Sequence, residues 1–159
     1  GFCSDGPYQE RVVVPIFENG ELVYFVARSF TNREPRYMNA ISTTRKEIIF
    51  KTFEGKVKTC FIVEGCFDAM RLGKVVPTIS LLGKVISPQQ ARKIATLTEN
   101  VVVMLDRDAH CYSWAVLNCL NALTNAKIIF LDEFKDPGSI PTNQLKRAIK
   151  QKGASYADF

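Results

Sequence analysis

The segment at residues 101–108, VVVMLDRD, constrains the fold of this chain more than any other. An unbroken apolar run ends there in two carboxylates, Asp106 and Asp108. An apolar run of this length is typical of a strand buried on both faces, as in the middle of a parallel sheet. Ligands of open α/β sheets bind just beyond the carboxyl ends of such strands. We therefore expect both aspartates at a binding edge of the sheet.

A second segment repeats this layout. The apolar residues 61–63 lead directly into Glu64 and Gly65, and Asp68 follows within one helical turn. Acids that share one edge repel each other unless a cation lies between them, and carboxylate oxygens suit magnesium. The sequence thus predicts one acidic metal site built from two neighbouring strand ends. Asp136, which precedes a proline, is more typical of a turn than of a ligand.

Strands and helices alternate from residue 58 onward. Ser87 followed by Pro88 is a strong signal for the start of a helix. In the following helix, Trp114 is expected on the inner face. Alternation with short connections predicts a parallel sheet with right-handed crossovers, flanked by helices. The predicted strands are residues 60–63, 78–82, 101–105 and 127–131, and the predicted helices are 67–72, 87–97, 112–123 and 142–152.

The N-terminal part is rich in β-forming residues. The runs 11–17 and 22–27 flank Asn19 and Gly20, and Asn-Gly between such runs predicts a hairpin. Pro15 places the first strand at an edge or a bulge. A basic stretch follows, and a short strand at 47–50 is expected to end this lobe. We therefore predict a small β-rich lobe at residues 1–57 and an α/β domain at 58–159.

Composition narrows the class of protein. The 159 residues carry a formal net charge of +5, which permits a polyanionic partner without requiring one. The five cysteines form no CxxC pair, which argues against a zinc site or a disulfide framework. Reduced thiols indicate a cytosolic compartment. No apolar run reaches the length of a membrane span, so we expect a cytoplasmic protein without a membrane partner.

The acidic motifs carry a family resemblance. The segments FIVEGCFDAMRLG at 61–73 and VVVMLDRDAH at 101–110 resemble the Toprim domain, the metal-binding α/β module of topoisomerases, primases and related nucleases. The segments RVVVPIF at 11–17, NGELVYFVAR at 19–28 and EPRYMN at 34–39 look like the lobe that precedes Toprim in bacterial-type, DnaG-like DNA primases. The resemblance covers residues 11–140 and implies a primase catalytic core, cut from a longer primase or from a primase-helicase of viral or plasmid type.

The resemblance implies roles for individual residues. It makes Glu64, Asp106 and Asp108 the catalytic acids that hold Mg²⁺ or Mn²⁺, with Asp68 as a further metal ligand. Such ions can hold both the attacking and the leaving oxygens of a nucleotidyl transfer. The basic residues that match positions binding nucleic acid or nucleoside triphosphates (NTPs) are Arg11, Arg28, Arg36 and Lys51.

Three functions are compatible with these residues. The first is synthesis of RNA primers from NTPs on a single-stranded DNA template, with a replicative helicase or helicase domain as partner, in the cytoplasm or, for a viral protein, the host cytoplasm. The second is a Toprim-type nuclease, and the third is a non-catalytic nucleic-acid-binding Toprim module. The β-rich lobe favours the primase. Cys111, where Toprim proteins usually carry glycine, and Arg107, where primases often do, depart from the family pattern.

Overall fold

The computed structural model describes residues 1–41 and 45–151. The chain divides into two compact units, Gly1–Ile48 and Ile49–Phe159. The domain limits expected from the sequence, 1–57 and 58–159, stay a prediction. Within the described ranges, no helix is long and apolar enough to cross a bilayer.

In the part of the first unit that the structure describes, four strands form an antiparallel sheet in sequential order. The predicted hairpin is confirmed, and Asn19 and Gly20 at its tip have φ values of 53° and 84°, as a two-residue turn of this kind requires. Pro15 lies beyond the short stretch that pairs with the first strand, just before an irregularity in the register at Ile16/Phe17. Its missing N–H is therefore tolerated. The strands are β1 (Phe2–Cys3), β2 (Arg11–Glu18), β3 (Glu21–Ser29) and β4 (Tyr37–Asn39).

The second unit contains a five-stranded sheet in the order β5-β7-β6-β8-β9. Strands β6 to β9 are parallel, and β5 pairs antiparallel with β7. The short strand expected at 47–50 therefore lies slightly later and belongs to this sheet, because Ile49 joins the core of the second unit. The strands are β5 (Phe50–Lys51), β6 (Val57–Val63), β7 (Thr78–Ser80), β8 (Thr98–Val103) and β9 (Asn125–Ile128).

Four helices cover this sheet within the described residues. The predicted start at Ser87 is confirmed, since the Ser87 hydroxyl accepts from the Gln90 N–H at 3.0 Å and the Gln90 side chain accepts from the Ser87 N–H. The helix expected at 142–152 begins at Thr142, and its expected last residue lies outside the described residues. The helices are α1 (Cys66–Leu72), α2 (Pro88–Leu97), α3 (His110–Asn121) and α4 (Thr142–Gln151).

The apolar run at residues 101–105, which includes the last residues of β8, is buried on both faces, as predicted. Val101, Val103 and Leu105 pack on one face with residues of α2 and α3. Val102 and Met104 pack on the other with residues of α1 and α4. With helices on both sides, each side chain of this run is removed from water, which explains its uninterrupted hydrophobicity. The predicted fold class, a parallel-stranded α/β sheet flanked by helices with a small β-rich lobe, is confirmed.

Candidate metal centre

The acids come together because β6 and β8 are adjacent parallel strands. Their pairing extends past the end of β8, where the Met104 N–H donates to the Ile62 carbonyl at 2.9 Å. Glu64 directly follows β6, so the chain after β8 passes beside it. The Asp106 N–H donates to Glu64 Oε1 at 3.2 Å. The sheet register thus fixes which acids meet.

Glu64, Asp106 and Asp108 form a cluster of carboxylates, which we call the acidic triad. Each contributes one oxygen, and these oxygens lie within 4.8 Å of one another. Glu64 and Asp106 are half-buried, whereas Asp108 is exposed. A divalent cation can contact oxygens at this spacing, and the exposed side leaves room for water or phosphate oxygens.

The electrostatics of the triad suit a divalent cation. Burial, followed by the charges of Glu64 and Asp68, raises the pKa of Asp106 to about 7. Burial also raises the pKa of Glu64, although the Asp106 N–H opposes this effect. Asp106 Oδ1 is buried and has no hydrogen-bond partner among the described residues. A buried carboxylate oxygen without a donor is costly in a metal-free protein and suits metal coordination.

Lys84 balances part of this negative charge. Its Nζ lies 3.2 Å from Asp108 Oδ2. Hydrogen bonding and charge attraction from Lys84 lower the pKa of Asp108. The same ammonium lies 6.0 Å from the centre of the Tyr112 ring. The sequence analysis missed Lys84, although its place after β7, beside β6 in the sheet, puts it at the carboxyl edge that carries the acids.

Asp68 lies in the first turn of α1, close to the triad. A Cβ on Gly65 would lie 2.7 Å from Asp68 Oδ2, and a Cβ on Gly138 would also collide with this carboxylate. Asp68 raises the pKa of both Glu64 and Asp106 through charge repulsion, so it contributes to the same negative field. It is not among the acids whose oxygens meet within 4.8 Å.

The last loop also reaches this edge of the sheet. Asp136 caps the short 3₁₀ helix Pro137–Ser139, which fits its predicted role as a turn former, and its charge helps raise the pKa of Asp106. The Arg107 N–H donates to the Lys135 carbonyl at 2.9 Å. This bond ties the turn between the two triad aspartates to the loop that carries Asp136.

Ser80, the last residue of β7, is a further residue that the sequence analysis missed. Its hydroxyl donates to the Glu64 carbonyl at 2.6 Å and accepts from the Leu82 N–H at 3.1 Å. Leu82 has a φ of 58°, a left-handed conformation that is uncommon for leucine and often found at functional sites. Ser80 therefore connects the backbone of Glu64 to the loop that carries Lys84.

The predicted basic residues lie in both units. Arg11 is completely buried in the first unit, where its Nη1 donates to the Arg36 carbonyl at 3.3 Å. Arg28 is half-buried, with its guanidinium carbon 5.6 Å from the centre of the Tyr37 ring, and Arg36 is exposed. Lys51 lies on β5 of the second unit and pairs with Glu54 at 2.9 Å. Their part in binding nucleic acid or NTPs stays a prediction.

One expectation about the helix after the triad is wrong. Trp114 does not face the core, since its side chain is 57% exposed. Its ring lies 6.0 Å from that of Phe130, which in turn lies 4.8 Å from the His110 ring. Val116 and Leu120 occupy the buried face instead. The smaller aliphatic side chains pack against the sheet, whereas the indole lies at the edge of the helix.

A parallel-stranded sheet that carries Glu-Gly after one strand and Asp-x-Asp after its neighbour defines a Toprim-type α/β module. Comparison with known proteins shows which kind of Toprim-type protein the chain is similar to. The chain is 31% identical over 153 residues to the DNA primase of Buchnera aphidicola and 29% identical over 159 residues to that of Thermotoga maritima. These alignments cover 84% and 91% of this chain. No protein-family model matches it.

The solved structures agree on the fold. The DnaG primase catalytic domain bound to single-stranded DNA superimposes with a TM-score of 0.79 at 20% identity, over 91% of this chain and 52% of the other. The primase fragment of the bacteriophage T7 primase-helicase superimposes with a TM-score of 0.64 at 15% identity, over 87% of this chain and 61% of the other. The chain is therefore a DnaG-like primase core in sequence and fold, as predicted. It spans about a quarter of the length of the curated relatives, 26% and 28%.

Proposed function

We propose that this chain is the catalytic core of a DNA primase, which synthesises RNA primers on single-stranded DNA with Mg²⁺ or Mn²⁺. The observation that carries the proposal is the acidic triad, which lies at adjacent strand ends of a DnaG-like fold with oxygens within 4.8 Å of one another. The Asp106 oxygen without a hydrogen-bond partner among the described residues supports a metal among these acids.

The triad residues would act as metal ligands and Asp68 as an outer ligand. Bound divalent cations supply charge neutralisation at the NTP phosphates and at the attacking 3′-hydroxyl. Glu64 and Asp106 are half-buried and Asp108 is exposed, so substrate would reach the site from the side of Asp108. The Asp106 N–H donates to Glu64 Oε1, so it would help to hold this carboxylate in position for a cation. The reaction joins the 3′-oxygen to the α-phosphate and releases pyrophosphate.

The basic residues would hold the strands and the triphosphate. Arg28 and Arg36 reach solvent, so they are the better candidates for phosphate contacts, which position nucleic acid without reading its sequence. Arg11 is buried, so it would act by shaping the lobe around the Arg36 backbone. Lys51 would have to leave Glu54 to bind a phosphate. The likeness to the T7 primase-helicase fragment supports a replicative helicase or helicase domain as the partner, acting with this chain in the cytoplasm or host cytoplasm.

A primer-synthesis assay and a nuclease assay on the same single-stranded DNA test this proposal. With Mg²⁺ or Mn²⁺ and labelled NTPs, the chain should extend template-directed RNA, and Asp106→Ala should abolish the product. Asp5→Ala, an exposed acid in the first unit, is the matched control and should retain activity. Cleavage without synthesis would instead support the nuclease. Absence of both activities, with a replicative helicase added, would support the binding module.

A further inference from the structure

The side chain of Lys84 faces the acidic triad from its exposed side. Its Nζ lies 3.2 Å from Asp108 Oδ2, and both side chains reach solvent. Asp108 is one of the three acids of the triad, so the ammonium lies beside the site proposed for the cation. Lys84 therefore lies where charge from an incoming cation or phosphate would act.

The loop that carries Lys84 is held in place at both ends. At its start, Ser80 bonds to the Glu64 carbonyl and to the Leu82 N–H. Further along, the buried Gln90 side chain donates to the Leu81 carbonyl at 3.0 Å and caps the start of α2. Such anchoring limits the freedom of the loop backbone, so Lys84 needs only side-chain rotation to change partners.

A surface ion pair of this kind contributes little to stability, because solvent screens it and two long side chains must be ordered. A divalent cation on the triad would also repel the Lys84 ammonium and compete with it for Asp108. Once metal is bound, the ammonium needs another anion. The anion that arrives with the metal in a nucleotidyl transferase is the triphosphate.

We propose that Lys84 is a triphosphate-binding residue that exchanges its pairing with Asp108 for a phosphate oxygen of the metal-bound nucleotide. This inference rests on the proposed function and adds a residue to it. The Tyr112 ring, 6.0 Å from Nζ, gives the ammonium a second weak partner during the exchange. Lysine suits this role because its ammonium is a compact charge on a flexible stem.

Substitution of Lys84 by methionine tests the two parts of this proposal separately: the competition with the metal and the contact with the triphosphate. Lys84→Met removes the charge and keeps most of the side-chain volume. Mn²⁺ affinity, measured from the electron paramagnetic resonance of the free ion, should rise roughly three- to tenfold because a competing cation is gone. ATP affinity at saturating Mn²⁺, measured by calorimetry, should fall roughly tenfold because a charge-assisted phosphate contact is lost. Lys84→Arg should keep both affinities close to the starting values.

The matched control is Lys56→Met, which removes an exposed lysine before β6, at the opposite edge of the same sheet. If Lys84→Met behaves like this control in either titration, the inference is overturned and Lys84 is a surface ion pair only. The unmodified chain distinguishes the two proposals. Its failure to bind ATP with Mn²⁺ would overturn the proposed function as well, whereas normal binding unaffected by Lys84→Met would overturn the role of Lys84 alone.

Discussion

The backbone N–H of Asp106 donates to the side-chain Oε1 of Glu64 at 3.2 Å, so one acid of the triad orients another. These residues are far apart in sequence, and the pairing of β6 with β8 brings them together. The bond fixes one oxygen of Glu64 without neutralising its charge. Two half-buried carboxylates consequently remain side by side, and their repulsion has consequences that can be measured.

Asp106→Asn should stabilise the metal-free chain at pH 8. The pKa of Asp106, about 7 in the folded chain, lies above its usual value of 3.8, so the folded state binds the proton more tightly than the unfolded state. Stability therefore falls as pH rises from about 4 to 7, and the asparagine removes this loss. We expect a gain on the order of 1–2 kcal/mol by urea denaturation at pH 8, allowing for solvent screening. An equal gain at pH 4 would contradict this origin.

Metal affinity should fall below about pH 7. A carboxylate must lose its proton to ligate a cation, and Asp106 holds that proton to about pH 7. Mn²⁺ titrations of the wild-type chain at pH 5.5 and 8 should therefore differ by roughly tenfold or more in Kd. Glu64→Gln should bind weakly at both pH values. An affinity independent of pH over this range would show that Asp106 is not a ligand.

Saturating Mn²⁺ should raise the unfolding temperature of the wild-type chain. A cation that binds the folded state alone stabilises it by about 2.7 kcal/mol at a hundredfold excess over Kd. It also removes the repulsion within the triad. Calorimetry with and without a chelator measures the shift, with Asp108→Asn expected to lose most of it. A similar shift in Asp5→Ala is the control, since that acid lies in the other unit.

Gly65→Ala should weaken metal binding by displacing Asp68. The added methyl would lie 2.7 Å from Asp68 Oδ2, closer than side chains tolerate, so the carboxylate must move. We expect a loss of a few-fold to roughly tenfold in Mn²⁺ affinity. Asp68→Asn should give a comparable loss, and the double variant should lose little more than either alone. Fully additive losses would show that Gly65 acts through something other than Asp68.

Arg28→Ala should weaken binding to single-stranded DNA by a few-fold and reduce the salt dependence of the affinity by roughly one phosphate contact. Arg28 lies against the Tyr37 ring on the first unit, and its side chain reaches solvent. Fluorescence anisotropy across a salt series measures both quantities. Arg92→Ala, an exposed arginine on α2, removes the same charge and should change neither. An Arg28 variant with the same salt slope as Arg92→Ala would remove Arg28 from the interface.

Local sequence patterns identified most of the elements that position the site. The backbone preferences of neighbouring residues determine the turn at Asn19-Gly20 and the helix start at Ser87-Pro88. Both features can therefore be predicted from the sequence without knowledge of the tertiary structure. The apolar run before Asp106 indicated a strand buried on both faces. Helices do cover both faces of the sheet at this run. The triad itself followed from the rule that parallel strands present their carboxyl ends at one edge.

The parts that the sequence did not reveal depend on contacts between distant segments. The pairing of Lys84 with Asp108 requires β7 to lie beside β6, an order that no local pattern specifies. The short strand β5 lies in the second sheet because the adjacent residue Ile49 packs in the core of the second unit. Trp114 showed that an aromatic residue with suitable helical spacing can still lie at the exposed edge.

The backbone bond from Arg107 to Lys135 limits how far the chain can be shortened. The turn between the two triad aspartates is tied to the loop after β9, and Leu145 of α4 closes the core on the same side as α1. Truncation before residue 135 would release that turn, and truncation before residue 145 would open an apolar face. A minimal fragment that preserves the triad must therefore extend through α4.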